Sequence, residues 1–214
     1  MSYESQKEYF QIAYNTGTDN WTHKKYRDKI REYALHFPAN AMVLDVGCGR
    51  GLFSFFLAEL GYRVIGLDYI QRVIEINNKE VRAKHLAGRV AFIAGDVFNI
   101  SLADNSIDAI TDIGLLHHID PGDWNKYIQE IGRVLKSGGM YFNISLCKDT
   151  ARFFEWLPKQ DMNADYEKYG AHYHFFKKDE IPQLFGTQYE LIHQSTQQGD
   201  DGTVILFTLL KKKG

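Results

Sequence analysis

Three glycines at alternate positions, Gly47, Gly49 and Gly51, follow the apolar run Val43–Val46 and precede the helix-like stretch Leu52–Leu60. Glycine lets a backbone turn sharply and approach a ligand closely, so a ligand is expected at the carboxyl end of that run. One acid, Asp45, stands two residues before the first glycine. Two more follow at later breaks in the pattern: Asp68, 21 residues beyond Gly47, and Asp96 in Gly95-Asp-Val97. An ionised carboxylate only accepts hydrogen bonds. That suits Asp68 to ribose hydroxyls and Asp96 to the amino group of an adenine, with the next backbone amide, that of Val97, meeting a ring nitrogen. Acids at strand ends often do no more than cap helices, and a lone glycine-rich turn is a weak signal. The order of all these features matters more than any one alone. A dinucleotide turn of the G-x-G-x-x-G type would put its last glycine at position 52, where this chain has Leu, and NAD is therefore disfavoured.

His117 and His118 come next. An imidazole titrates near neutrality and can take or orient a proton. The alternative is that both rings merely bond to neighbouring backbone, and for one of the pair that is the preferred reading. Adjacent residues of an extended or helical segment point apart, so a metal pair is not expected. Cys48, between two glycines, reads as a small residue tolerated in the turn rather than a nucleophile.

Elements that must position these residues alternate from residue 41 onward, the signature of a parallel sheet covered on both faces. Strands are expected at 41–46, 63–67, 89–94, 107–113 and 140–146. Helices are expected to Leu60 with Gly61 as a cap, over about 70–86, and over 124–135. Asp120 and Pro121 suit the cap and first position of the last of these, and Ser137–Gly139 should end it. Residues 189–193 and 204–210 read as two strands joined too closely for a helical crossover, hence antiparallel.

The chain has 214 residues, 44% of them hydrophobic and 24% charged, with a net charge of −2. It is long enough for one α/β core. No apolar run approaches the ~20 residues of a membrane span, and the polar N-terminus is unlike a secretory signal. The net charge argues against bulk attraction to nucleic acid. Two cysteines, Cys48 and Cys147, suit reduced thiols and a cytoplasmic setting.

The run Val43-Leu-Asp-Val-Gly-Cys-Gly-Arg-Gly51 with Asp68, Gly95-Asp96-Val97, Asp108–His118 and Arg133–Gly139 resembles the class I S-adenosylmethionine-dependent methyltransferases, of the small-molecule type, over residues 43–147. The resemblance implies a Rossmann-like, doubly wound seven-stranded sheet, mostly parallel with a final antiparallel strand, plus a small aromatic-rich helical cap. It implies S-adenosylmethionine as cofactor, S-adenosylhomocysteine as product, and no metal. Carried over, Asp45, Gly47, Cys48, Gly49 and Gly51 line the methionine end, and Asp68 holds the ribose. Tyr69 packs on the adenine, whose edge Asp96 and Val97 read. Asp112, Ile113 and Gly114 stand beside the sulfonium.

Residues 1–40 form an N-terminal cap and residues 41–214 the methyltransferase domain, with a lid insertion at 150–186. The first 40 residues and 150–190 hold more than half of the chain's aromatic residues. Most should pack the appendages onto the core. A minority, with Tyr14, Trp21, Trp156 and Tyr173 as candidates, should line an acceptor pocket. The leading reading is methyl transfer to a small molecule by a monomer or homodimer. A nucleic-acid or protein methyltransferase and a non-catalytic cofactor-binding scaffold are the alternatives.

Overall fold

A computed structural model describes residues 3–19, 21, 26–150, 165–168 and 170–214. Helices α1 (Tyr3–Thr16) and α2 (Arg27–Ala34) lead into β1 (Met42–Val46), α3 (Leu52–Glu59), β2 (Arg63–Asp68), α4 (Gln71–Ala83) and β3 (Val90–Ala94). Then come β4 (Ile107–Ile113), a 3-10 turn Leu116–His118, α5 (Trp124–Val134) and β5 (Leu135–Leu146). A ribbon of β6 (Asp165–Lys168) and β7 (Ala171–His174) precedes a short helix Glu180–Phe185, and the hairpin of β8 (Tyr189–Gln198) and β9 (Val204–Lys212) closes the chain.

The main sheet has seven strands in the order β3-β2-β1-β4-β5-β9-β8. Strands β1 to β5 pair in parallel, and β9 runs antiparallel to both neighbours. This is the doubly wound, mostly parallel sheet expected. Strand β1 pairs with β2 on one side and β4 on the other, so the winding reverses at its carboxyl end. Ligands of open α/β sheets bind at such a switch point.

Period-two alternation divides the strands' side chains between two covered faces. Val43, Val64, Ala109, Phe142 and Phe207 meet Ile30 and Tyr33 of α2, Phe55 of α3 and Ile74 of α4. Leu44, Ile110, Tyr141 and Leu206 meet Tyr127, Ile131 and Val134 of α5. Strands buried on both faces read as near-continuous apolar runs, and each fully buried Val, Leu, Ile or Phe contributes roughly 1.5–3 kcal/mol. Tyr33 ties α2 to the sheet. Its ring stacks on Phe142 at 4.6 Å, and its hydroxyl shares a hydrogen bond with Ser195 at 2.9 Å.

Two expectations need correction. Helix α5 ends at Val134, before Ser137–Gly139, because Leu135 is already extended and pairs with Ile107 to open a twelve-residue β5. The cap is not wholly helical either: residues 165–168 and 171–174 contribute an antiparallel ribbon. No helix among the described residues is long and apolar enough to cross a membrane.

Candidate active site

The glycine turn is bonded to the end of β2 and to the middle of α4. Cys48 N–H donates to the Leu67 carbonyl at 3.0 Å, Gly49 N–H to Asp68 Oδ2 at 2.9 Å, and Asn77 Nδ2 to the Gly49 carbonyl at 2.7 Å. Gly49 has φ 48°, and a Cβ there would lie 2.5 Å from the Tyr14 hydroxyl. Gly51, at φ 69°, serves packing: a Cβ would lie 2.5 Å from the Phe92 ring, which also fills the space beside Gly66 on β2.

A cavity of about 470 Å³ opens at the carboxyl edge of the sheet. At the strand ends and the turns after them it is walled by Gly47, Asp68, Tyr69, Gly95, Val97, Phe98, Ile113 and Gly114. Phe10, Tyr14, Trp21, Tyr26, His117, His118, Ile144, Leu146 and Tyr173 line the same cavity. The strand ends, the turns after them and α1 therefore bring Tyr14, Trp21, Tyr173 and both histidines into one space with Asp68 and Tyr69. Trp156 lies outside the described residues.

Four acids identified in the sequence sit differently. Asp68 faces the cavity, with Oδ1 accepting from Ile70 N–H and Oδ2 from Gly49 N–H, each at 2.9 Å. Burial raises its pKa to about 6. Asp45 does not line the cavity. It is buried behind the turn, where Ser54 Oγ donates to it at 2.5 Å and Thr111 Oγ1 at 2.9 Å, and burial raises its pKa to about 6. Asp112 does not line the cavity either. Its carboxylate turns inward and accepts from Tyr127 and Tyr141 hydroxyls at 2.6 and 2.9 Å and from Leu115 and Leu116 N–H at 2.9 and 3.2 Å. Four donors satisfy a buried carboxylate, and the bonds fasten the turn that carries the histidines. Ile113 and Gly114, the other two residues of this strand edge, line the cavity. Asp96 stands just behind the wall that Gly95 and Val97 form, accepting from Phe98 N–H at 2.9 Å.

Cys48, Gly49 and Gly51 shape the turn without lining the cavity. Burial raises the Cys48 thiol well above its ordinary pKa, and so keeps it protonated.

The two imidazoles are close, with centroids 4.3 Å apart; the 3-10 turn brings together rings that an extended or α-helical backbone would splay. Burial lowers the His118 pKa to about 4 and that of His117 well below the ordinary value. Both are neutral at pH 7. His118 Nδ1 lies 2.6 Å from the His172 carbonyl oxygen, and its ring meets Phe10 and Tyr173 edge-on at 5.1 and 4.7 Å. Among the described residues no cluster of His, Cys, Asp or Glu is arranged to hold a metal ion.

Sequence reasoning missed Tyr3, Gln6 and Phe98, which also line the cavity. The Tyr3 ring lies 5.8 Å from Tyr69 and 5.7 Å from Phe98, so α1 also covers the ends of β2 and β3. Only the aromatic enrichment of the N-terminal segment hinted at this.

Residues 43–139 match the family model of a methyltransferase domain. The demethylmenaquinone methyltransferase of Leptospira interrogans (serovar copenhageni) is 31% identical over 131 residues, 60% of this chain and 52% of its own. That of Lactobacillus johnsonii is 32% identical over 127 residues, 58% of this chain and 49% of its own. The chain thus spans about half the length of these curated relatives. A crystal structure of the Burkholderia thailandensis 1,6-didemethyltoxoflavin-N1-methyltransferase, with 1,6-didemethyltoxoflavin and S-adenosylhomocysteine bound, has a TM-score of 0.83. It is 21% identical and covers 99% of this chain and 88% of its own. At that identity the likeness is one of fold.

Proposed function

We propose that this chain, a member of the class I S-adenosylmethionine-dependent methyltransferases, methylates a small, flat, largely apolar acceptor at an O–H or N–H group. The observation that carries this reading is that one cavity brings together a carboxylate and a glycine turn at the switch point with aromatic rings and two neutral imidazoles. The residues present fit the cofactor: Asp68 suits the ribose, Tyr69, Val97 and Phe98 suit the flat adenine, and the turn at Gly47 leaves room for the methionyl chain.

When bound, S-adenosylmethionine supplies the methyl group, its carbon–sulfur bond breaking with the electron pair left on sulfur as the acceptor's lone pair forms the new bond. The protein's own part is alignment and one proton. Phe10, Tyr14, Trp21 and Tyr173 hold the acceptor ring and exclude water. His118, neutral because burial disfavours its charge, offers Nε2 to the acceptor's O–H or N–H. A low-pKa imidazole is a weak base toward a neutral acceptor. It becomes competent once the arriving methyl has made the acceptor atom cationic and its proton strongly acidic. The proton then passes to Nε2 and on to water.

Relatives named for demethylmenaquinone support a small-molecule acceptor. On the same reading residues 1–40 and the 150–186 insertion shape the acceptor side of the 41–214 domain. A cytoplasmic setting is supported by the two free cysteines.

The test is calorimetric titration with S-adenosylmethionine, S-adenosylhomocysteine and NAD, followed by incubation with phenols, quinols and N–H heterocycles and mass spectrometry of the products. Micromolar binding of the first two ligands and a one-methylene mass gain on a ring acceptor are the expected results. No binding of either sulfur ligand sinks the proposal.

A further inference from the structure

We propose that Gln6 is a positioning residue for methyl transfer: it closes a ring of three hydrogen bonds that fixes the tautomer of His118 and points its Nε2 lone pair at the acceptor. The proposal rests on the methyltransferase reading above.

The three bonds run in one direction. Gln6 Nε2 donates to the His118 carbonyl oxygen at 2.8 Å. His118 Nδ1 lies 2.6 Å from the His172 carbonyl oxygen, which can only accept, so Nδ1 carries the hydrogen. His172 N–H donates to Gln6 Oε1 at 2.8 Å. Each residue donates once and accepts once, and the ring closes across three elements: α1, the 3-10 turn after β4, and β7.

Side-chain amide orientations and imidazole tautomers are assigned from their partners. Here every partner that decides them is a backbone group of fixed polarity. Turning the Gln6 amide over would set oxygen against the His118 carbonyl and NH2 against the His172 N–H, losing both bonds. The alternative His118 tautomer would set a lone pair against the His172 carbonyl. The backbone thus dictates one arrangement.

With Nδ1–H used, Nε2 bears the lone pair, and it has no hydrogen-bond partner among the described residues. The ring cannot swing away, because Phe10 and Tyr173 meet it edge-on at 5.1 and 4.7 Å. Glutamine alone suits position 6. Glutamate cannot donate to the His118 carbonyl when ionised, lysine cannot accept from His172, and an aliphatic residue leaves both backbone groups without a partner. Because Gln6 belongs to α1, seating of that helix and readiness of His118 are one event.

The experiment uses the full chain with 15N-labelled histidine. Two-bond proton–nitrogen correlation spectra report the His118 tautomer in the wild type, Gln6→Glu, Gln6→Ala and the exposed control Glu8→Ala. S-adenosylhomocysteine affinity is measured by calorimetry, and turnover on a ring acceptor is followed in parallel. The wild type and Glu8→Ala should show a single Nδ1–H tautomer. Both Gln6 variants should show mixed tautomers and a kcat lower by about tenfold, as expected for a lost hydrogen bond of ordinary strength, with S-adenosylhomocysteine affinity within about twofold. Gln6→Glu is isosteric and keeps the bond from His172, so it reads out the lost donor even where Gln6→Ala disturbs α1. Retention of a single Nδ1–H tautomer and wild-type kcat in Gln6→Glu would overturn the proposal. Absence of S-adenosylhomocysteine binding by the wild type would overturn the methyltransferase reading, and with it a role in transfer, whatever the tautomer does.

Discussion

Arg50, inside the glycine turn, and Asp19, beyond the end of α1, form a two-pronged ion pair, with Nε to Oδ2 at 2.6 Å and Nη2 to Oδ1 at 2.7 Å. The same Nη2 reaches the Tyr14 carbonyl at 3.1 Å. The Asp19 side chain is almost wholly buried, whereas a third of Arg50 is exposed. The far end of the α1 wall is therefore clipped to the turn it covers.

Asp19→Asn removes one charge of this clip. We expect S-adenosylhomocysteine to dissociate about tenfold faster, since hydrogen bonds to charged groups contribute about 1.5–3 kcal/mol. Arg50→Lys should behave the same way, because an ammonium cannot reproduce the planar fork. Stopped-flow displacement measures the rate. A rate unchanged in both variants would mean that α1 does not gate the cavity.

If Asp68 holds the ribose as proposed, cofactor binding depends on pH. Its pKa is raised by burial to about 6 in the free protein, and ribose hydroxyls prefer its charged form. Affinity for S-adenosylmethionine should therefore fall as pH drops below about 6, while Asp68→Asn binds weakly and with little pH dependence. Stability of the free protein runs the other way. Asp45 and Asp68 keep protons in the fold, up to about pH 6, that the unfolded chain sheds near 3.8. Their contribution therefore falls as pH rises through that window. Calorimetry from pH 5 to 8 checks the affinity; a flat wild-type profile would remove Asp68 from the ribose.

Tyr127→Phe takes one donor from the buried Asp112 carboxylate. We expect a loss of about 1.5–3 kcal/mol in unfolding free energy with S-adenosylhomocysteine affinity unchanged, because Asp112 faces the core. Urea denaturation and calorimetry on the same sample separate the two. Weaker binding at unchanged stability would put Asp112 back at the ligand.

His174 bridges two carboxylates, with Nδ1 2.8 Å from Asp165 Oδ1 and Nε2 2.9 Å from Glu180 Oε1. Burial opposes its charge, but Glu180 and Asp165 outweigh burial and hold its pKa above the ordinary 6.5. A raised imidazole pKa contributes stability that is complete below 6.5 and is lost as pH rises through the folded value. Hydrogen exchange across residues 165–176, corrected for intrinsic rates, should therefore quicken above neutrality, and His174→Gln should remove the change. Equal protection at pH 6 and pH 9 in the wild type would contradict this.

The sheet and its glycine turn were legible because their signals are local. A strand, a glycine turn and an acid at the next strand's end are each set by neighbours in sequence, and the sheet's winding follows from alternation. The bonding around His118 was not, since its contacts join distant segments. Gln6 pairs with residues 112 and 166 positions away, and nothing in the spacing of α1 marks it. An acid near a strand end, such as Asp112, looks the same in sequence whether it turns to the cavity or to the core. Two tyrosines on α5 and β5 decide that, and neither advertises its hydroxyl's partner. The β6–β7 ribbon, four residues a side, is too short for alternation to show. Trp156 lies among residues outside the described structure.

Phe92 sits where Gly51 and Gly66 both lack a side chain, so one ring occupies two vacancies, one in the turn after β1 and one inside β2. An alanine at either glycine meets the ring, and a smaller residue at 92 opens a hole between them. The three positions therefore form a single packing unit, and a phenylalanine forty-one residues downstream leaves no room for a side chain at the third glycine of the turn.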